Sequence, residues 1–412
     1  MMRSQKLRLI LTKEQENKAW WYSKVSRNYW NLLVDIDKRN DKGEFDEILS
    51  INGNKTYYSK FYAREVYCLS QSDYLNLAKI VVAKNCEEDS ETWSWYYQPN
   101  QSFIYAFLVR ELVKIKRQNK GRLNFRSVDK IQPSFNVRCD MFSDKRPSRI
   151  YLKDNGKLQI PTLGDVRFGS TRKGFDLSCK KQVATISFDG KYWYLSYMVE
   201  IEVQITDLPD YTDGVGIDLG IKTLATVSDG TVVPNIKTFR RVRILNKRLK
   251  RLQRKVSRKY LINNCNKHNK TKNIIKLERE IKLIHRSLRN IRINHIRKFV
   301  SELVKKQPQY IAIEDLNVKG MMKNKHLAKD IANCSFYTIR EHLIRKAKEL
   351  HIAVRLVDRF YPSSKTCSYC GHYKKGLKLN NRVYCCDNSQ EKIDRDFNAS
   401  INIARTDRYV LA

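Results

Sequence analysis

The chain has 412 residues, and its 80 Lys and Arg against 43 Asp and Glu give a formal net charge of +37. Hydrophobic residues at 42% and aromatics at 11% exclude general disorder, and the length allows roughly two or three domains with a sizeable core. No run of about 18 apolar residues occurs, which excludes a membrane-spanning helix, and so large a basic excess points to a polyanionic partner, of which nucleic acid is the commonest.

In chain order, "KLRLILT" (6–12) reads as a strand. It is preceded by no apolar stretch long enough for a secretion signal, so a cytoplasmic, nucleoid-associated protein is expected. From 13 to about 120 the pattern is helical and rich in Tyr and Trp, with "QNKGRLNFRSVDK" (118–130) as a basic connector. Residues 131–205 turn β-rich, and "QVATISFDGKYWYLSYMVEIEV" gives two strands around an Asp189-Gly190 turn. A small barrel is expected, begun by the first strand and interrupted by the helical block.

Next, "GVGIDLGIKTLATVSDG" reads as two strands, with Asp218 set in an apolar alternation. A helical hairpin follows. Val242, Leu245, Leu249, Leu252 and Val256 recur at three and four, and Leu277, Ile281, Ile284, Leu288 and Ile291 return after the polar loop "NNCNKHNKTKN". Residues 237–259 hold twelve Lys or Arg and no acid. Like charges at i, i+4 destabilise a helix, and bound phosphates would relieve that repulsion. Arg240, Arg241, Arg243, Lys247, Arg248, Lys250, Arg251, Arg254 and Lys255 are therefore the candidate nucleic-acid ligands. "QYIAIEDLN" (309–317) is a short strand ending in Glu314 and Asp315, a helix is expected over 334–350, and "IAVRLVDRFYPSS" supplies another strand. "KIDRDFNASINIARTDRYVLA" closes the chain with a helix.

Three acidic positions share one context: Asp218 in a strand, Glu314 at a strand end, and Asp394 or Asp396 at a helix start. A hairpin followed by a parallel strand after a helical excursion is the order of an RNase H-like α/β sheet, in which these positions converge. Carboxylates gathered there repel unless divalent cations lie between them, and Mg²⁺ prefers oxygen ligands. Helix N-termini attract Asp as a cap, so Asp394 reads as the cap and Asp396 as the ligand.

The stretches "GIDLGIKTLA", "IAIEDLNVKGM" and "DRDFNASINIA" resemble, in that order, the three RuvC motifs of transposon-encoded TnpB nucleases and the related compact type V CRISPR effectors. The resemblance implies an RNA-guided DNA endonuclease that pairs a guide RNA with double-stranded target DNA next to a short motif. It also implies that Asp218, Glu314 and Asp396 are catalytic Mg²⁺ ligands. By the same likeness, 1–12 begins a wedge (OB-like) barrel, 13–130 is a helical recognition domain, and 131–207 completes the barrel. The RuvC-like domain is 208–360 with the hairpin at 237–306, a zinc-finger-like target-nucleic-acid-binding module is 361–392, and 393–412 carries the last motif. A DNA-binding regulator that no longer cuts and a transposase taking part in DNA recombination are the alternatives. Loss of an acid would favour the former, and none is lost.

The cysteines depart from this pattern. Four of ten lie within 367–386, which suggests a metal site rather than disulfides. Cys367 and Cys370 form a C-x-x-C, but the second pair has only Cys386, with Ser389 where a cysteine is expected. Either a three-cysteine Zn²⁺ site or a finger without zinc follows, with Cys385, Asp387 and His372 as candidates for a fourth ligand.

Overall fold

The computed structural model describes residues 2–44, 57–58, 66–67, 70–88, 102–118, 123–127, 132–138, 150–153, 155–169, 183–200, 213–264, 269–377 and 381–412. The chain divides into two compact units, Met1–Ile201 and Glu202–Ala412. The expected boundary at 207/208, part of the connector 118–130 and residues 265–268 of the hairpin loop lie outside the described residues.

In the first unit, strand β1 (Met2–Ile10) starts and stops earlier than its sequence pattern predicts. Thr12 is not in the strand: it caps helix α1 (Lys13–Asn40), and Gln15 completes a reciprocal capping box. Strands β2 (Tyr57–Tyr58) and β3 (Val66–Tyr67) form a short hairpin that the helical pattern did not announce. Helices α2 (Gln71–Glu88) and α3 (Ser102–Gln118) pack with α1 around Trp30, Leu33, Ile36, Leu77, Leu108 and Leu112. Inside that core Lys116 and the Tyr74 hydroxyl both donate to Asp37, so the buried charges are paired and hydrogen-bonded.

The β-rich segment supplies β4 (Ser134–Arg138), β5 (Tyr151–Leu152), β6 (Leu158–Ile160), β7 (Gly164–Phe168), β8 (Val183–Phe188) and β9 (Trp193–Glu200). With β1 they make one antiparallel sheet in the order β4-β8-β9-β1-β7-β6-β5. The first strand therefore sits in the middle, between partners far away in sequence. Leu7 and Leu9 face the core, while Arg8 lies 3.7 Å over the Tyr192 ring on the other side.

The second unit is built on a mixed six-stranded sheet. Its strands are β10 (Val215–Leu219), β11 (Thr223–Val227), β12 (Val232–Pro234), β13 (Tyr310–Glu314), β14 (Ala353–Val357) and a last strand at Tyr409–Leu411, in the order β12-β11-β10-β13-β14-last. The β10–β13 and β13–β14 pairs are parallel and the others antiparallel. The hairpin helices are α4 (Arg240–Ile262) and α5 (Lys272–Lys305). Three helices follow β13: α6 (Val318–Met321), α7 (Ala328–Cys334) and α8 (Phe336–Glu349). The helix expected over 334–350 is shorter because Ser335, at φ 55, breaks α7 from α8. Ile217, Ile311, Ile313 and Val354 bury one sheet face against Phe299, Val300 and Leu303 of α5 and Ile339 and Leu343 of α8.

The opposite face is covered by helix α9 (Arg395–Arg405) through Ala312, Val357 and Ile403. Gly216 makes this approach possible: a Cβ there would lie 2.1 Å from the Ser400 carbonyl oxygen and 2.4 Å from the Ala404 nitrogen. Between β14 and α9 the chain forms a small cysteine-bearing module with the hairpin β15 (Val383–Cys385) and β16 (Lys392–Asp394). The final strand, which the sequence pattern did not reveal, is β17 and pairs antiparallel with β14.

Candidate active site and cysteine cluster

Strand periodicity decides which carboxylates meet. In β10, Val215 and Ile217 face the α5/α8 core, so Gly216 and Asp218 face α9. In β13, Ile311 and Ile313 take the same core, so Ala312 and Glu314 face α9. The parallel register pairs Gly216 with Ala312 and Ile217 with Ile313, and one step further sets Asp218 beside Glu314. Helix α9 adds the third acid from its first turn. Asp394 is its N-cap and accepts hydrogen bonds from the N–H groups of Asp396 and Phe397, each at 3.0 Å. That cap bond leaves the Asp396 side chain for other partners, as the capping rule predicts.

The electrostatics record the convergence. Burial first, then the charges of Glu314 and Asp396, push the Asp218 carboxyl up to about 8. Burial also raises Glu314, against a 2.8 Å hydrogen bond donated by Ser363 Oγ. Arg382 stands 3.8 Å from Asp396, and the Arg395 charge opposes part of the rise at Asp218. A hard divalent cation fits this donor set, because it is made of oxygens that cannot all ionise beside one another unaided.

Ser363, Asn398 and Asn402 support the site and went unnoticed in the sequence. Asn402 donates to the carbonyls of Ser363 (2.8 Å) and Thr366 (2.6 Å). Asn398 donates to Thr366 O at 2.7 Å and accepts from the Ser368 N–H at 2.9 Å. The buried face of α9 thus fixes the segment that brings Ser363 to Glu314. The available signal was the Asn-x-x-x-Asn spacing on a face that also carries Ala399 and Ile403.

The same segment leads into the cysteines. Among the described residues, Cys367, Cys370 and Cys386 form the group of metal-ligating side chains whose donor atoms all lie within 4.8 Å of one another. The three carboxylates form no group that tight. Gly371, at φ 75, turns the first knuckle. Hydrogen bonding, chiefly from the His372 backbone and the Asn388 side chain, holds the Cys370 thiol down at about 6, and bonds from Ser389 lower Cys386. Ser389 stands against the group: its Oγ is 3.7 Å from Cys367 Sγ and its N–H donates to Cys386 Sγ at 3.3 Å. None of the three alternative fourth ligands joins the group. Cys385 and His372 are exposed, and Asp387 pairs with Lys374 at 2.5 Å. Three thiols gathered this closely, two of them lowered, fit a thiophilic cation such as Zn²⁺.

The hairpin is arranged as its stripe predicts. Val242 and Leu249 of α4 are buried against Ile284 and Leu288 of α5. All nine candidate cations, Arg240 through Lys255, are exposed. Of these, Arg248 pairs with Glu280 at 3.2 Å, and the other eight have no acidic partner among the described residues. The first turn of α4 holds no acid and no side-chain cap, so its positive end is uncompensated. No described helix is long and apolar enough to cross a membrane.

Two protein families match the second half of the chain: "Probable transposase" (OrfB_IS605) over residues 196–325 and "Cas12f1-like, TNB domain" over residues 336–403. A protein of Streptomyces pristinaespiralis named an RNA-guided DNA endonuclease is 35% identical over 211 residues, 51% of this chain and 49% of its own length. RNA-guided DNA endonuclease InsQ of Escherichia coli (strain K12) is 30% identical over 296 residues, 68% of this chain and 69% of its own. The match thus spans about half of the first relative and 69% of the second. A Cas12f1 chain solved by cryo-EM with sgRNA and target DNA superposes with a TM-score of 0.52 at 13% identity, over 100% of this chain and 99% of that one. At that identity the likeness concerns the fold.

Proposed function

This chain belongs to the TnpB family of transposon-encoded RNA-guided nucleases, and from that premise we propose that it is itself a guide-RNA-dependent DNA endonuclease with a single RuvC-type site. The observation that carries this reading is the convergence of Asp218, Glu314 and Asp396 on the α9 face of the sheet, where burial and then their mutual repulsion raise Asp218. The strand order supports an RNase H-like nuclease domain over 208–412 that carries the hairpin and the cysteine module, preceded by a wedge barrel around β1 with the helical recognition domain inserted in it.

Asp218, Glu314 and Asp396 would hold Mg²⁺. When bound, such ions activate water and stabilise the leaving oxygen in phosphodiester hydrolysis. The chain's own residues set the stage. Ser363 fixes one Glu314 oxygen and leaves the other for ligation. Asp394 ties down the first turn of α9 and so orients Asp396. The cations of α4 would hold phosphates of the guide or of the guide–target duplex, whose shape is read while base pairing chooses the sequence. Cys367, Cys370 and Cys386 would hold Zn²⁺ with Ser389 or water at the fourth corner.

The test is to purify the protein with its co-purifying RNA, sequence that RNA, and offer a matched duplex target. Discrete guide RNA and Mg²⁺-dependent cutting that Asp218→Ala abolishes are expected. Cutting by Asp218→Ala at the wild-type rate would sink the assignment. The intact acids favour a cutting enzyme over a regulator, which would bind the same target and leave it whole.

A further inference from the structure

Next to Glu314 the surface opens into a cavity of about 300 Å³, lined in part by Asp315, Phe336, Tyr337, Arg340 and Arg359. Asp315 is anchored from behind, since its N–H donates to the Val357 carbonyl at 3.0 Å. Its carboxylate holds two guanidinium groups, Arg340 on Oδ1 at 2.5 Å and Arg359 on Oδ2 at 2.6 Å. One carboxylate between two arginines leaves an excess positive charge. Each guanidinium carries five N–H donors and gives Asp315 only part of its fork, so donors remain for a second anion. Arg359 is 43% exposed and within reach of solvent.

Tyr337 completes the cavity. It lies one helical turn before Arg340 on α8, and the Arg340 guanidinium stands 5.6 Å from its ring centroid. Tyr337 is 59% exposed although it lines a concave wall. Fixed cations with an exposed ring at their side match the demands of an unpaired nucleotide: bidentate donors for the phosphate and a flat face for the base. A paired base has both faces stacked within the helix and cannot offer one to a ring.

We propose that this cavity is a seat for one unpaired nucleotide of the DNA strand to be cut, with its phosphate on Arg340 and Arg359 and its base on Tyr337. The seat presupposes the nuclease reading of the adjoining carboxylates, and it names the side chains that would position the strand beside them.

The experiment uses the full chain with its RNA. A single-stranded oligodeoxynucleotide carrying 5-iododeoxyuridine is irradiated with the complex in EDTA, and the cross-linked peptide is mapped. Guided cleavage of a duplex is followed in parallel with Mg²⁺. A cross-link at Tyr337 is expected, kept in Tyr337→Phe and lost in Tyr337→Ala, with cleavage roughly tenfold slower in Tyr337→Ala alone, the worth of one stacked base. Duplex binding by the guide should not change. Cross-links confined to other peptides, or Tyr337→Ala cutting at the wild-type rate, overturn the seat while leaving the nuclease intact. A Tyr337 cross-link in a wild-type protein that never cuts supports the seat and overturns the nuclease reading.

Discussion

The cysteines and the carboxylates of the second unit are two candidate sets of cation ligands assembled in opposite ways. The thiols lie between Cys367 and Cys386, in one knuckle and one hairpin, with sulfurs mutually within 4.8 Å. Local donors lower Cys370 to about 6 and lower Cys386 as well, so these two thiols are shifted toward the anionic form that a metal would need. The carboxylates come from β10, β13 and α9, elements distant in sequence, and burial with mutual repulsion raises Asp218 to about 8. Ser363 gives Glu314 a hydrogen bond and Arg382 stands 3.8 Å from Asp396, yet the Asp218 carboxyl remains raised. A knuckle can prepare its own charge with nearby N–H groups. A site made by tertiary packing must have its charge met by a cation or by a proton.

Removing one member of the distant set should have the largest effect. Loss of a group that merely supports a metal ligand typically costs 10–100-fold, so Asp218→Ala, Glu314→Ala and Asp396→Ala should each lower cleavage by more than about 100-fold. Gel-shift binding to a guided target should survive in all three, because affinity comes mainly from phosphate contacts. Completing the local set is the converse. Ser389→Cys should tighten zinc on the order of 100-fold, read by competition with a chromogenic chelator, and an unchanged affinity would show that position 389 does not face the ion.

The distant site can also be broken without touching a ligand. Gly216→Ala puts a methyl group into the α9 backbone and should destabilise the protein by about 1–3 kcal/mol, seen as a lower Tm, while zinc content stays unchanged. If zinc were lost together with cleavage, the two sites would not be independent.

Protons give a gentler test. The folded state holds the Asp218 proton to about 8, whereas an unfolded carboxyl releases it near 3.8, so between those values the folded state binds more protons. The contribution of Asp218 to the stability of metal-free protein should therefore be lost as pH rises through that window. Asp218→Asn should flatten the fall in Tm, and Mg²⁺ at the upper end should restore stability to wild type only. Asp394→Asn should do least. Asn caps helices about as well as Asp, so a change of about 1 kcal/mol or less in stability, with cleavage retained, separates the cap from the ligand at Asp396.

Much of this was legible in the sequence, because local periodicity carries it. Alternating apolar residues placed Asp218 and Glu314 on strands, the three-and-four stripe of Val242, Leu249 and Val256 laid out α4, and the capping rule separated Asp394 from Asp396. C-x-x-C spacing located the knuckle. These patterns depend on neighbours within a turn or a strand, which the chain states directly.

Tertiary structure decided what depends on distant partners. Only the β10–β13 register and the close passage of α9 over Gly216 put the three acids on one face. Only the fold shows Ser389 in contact with the cysteine cluster while Cys385, His372 and Asp387 stay outside, or Asp315 gripping Arg340 and Arg359. The closing strand β17 escaped notice because three exposed residues carry no alternation of burial, and Ser335 divides α7 from α8 through a backbone angle that composition does not encode. Nor does composition reveal the ion pair of Asp37 and Lys116, since a charge is buried only once its partner has been brought to it from another helix.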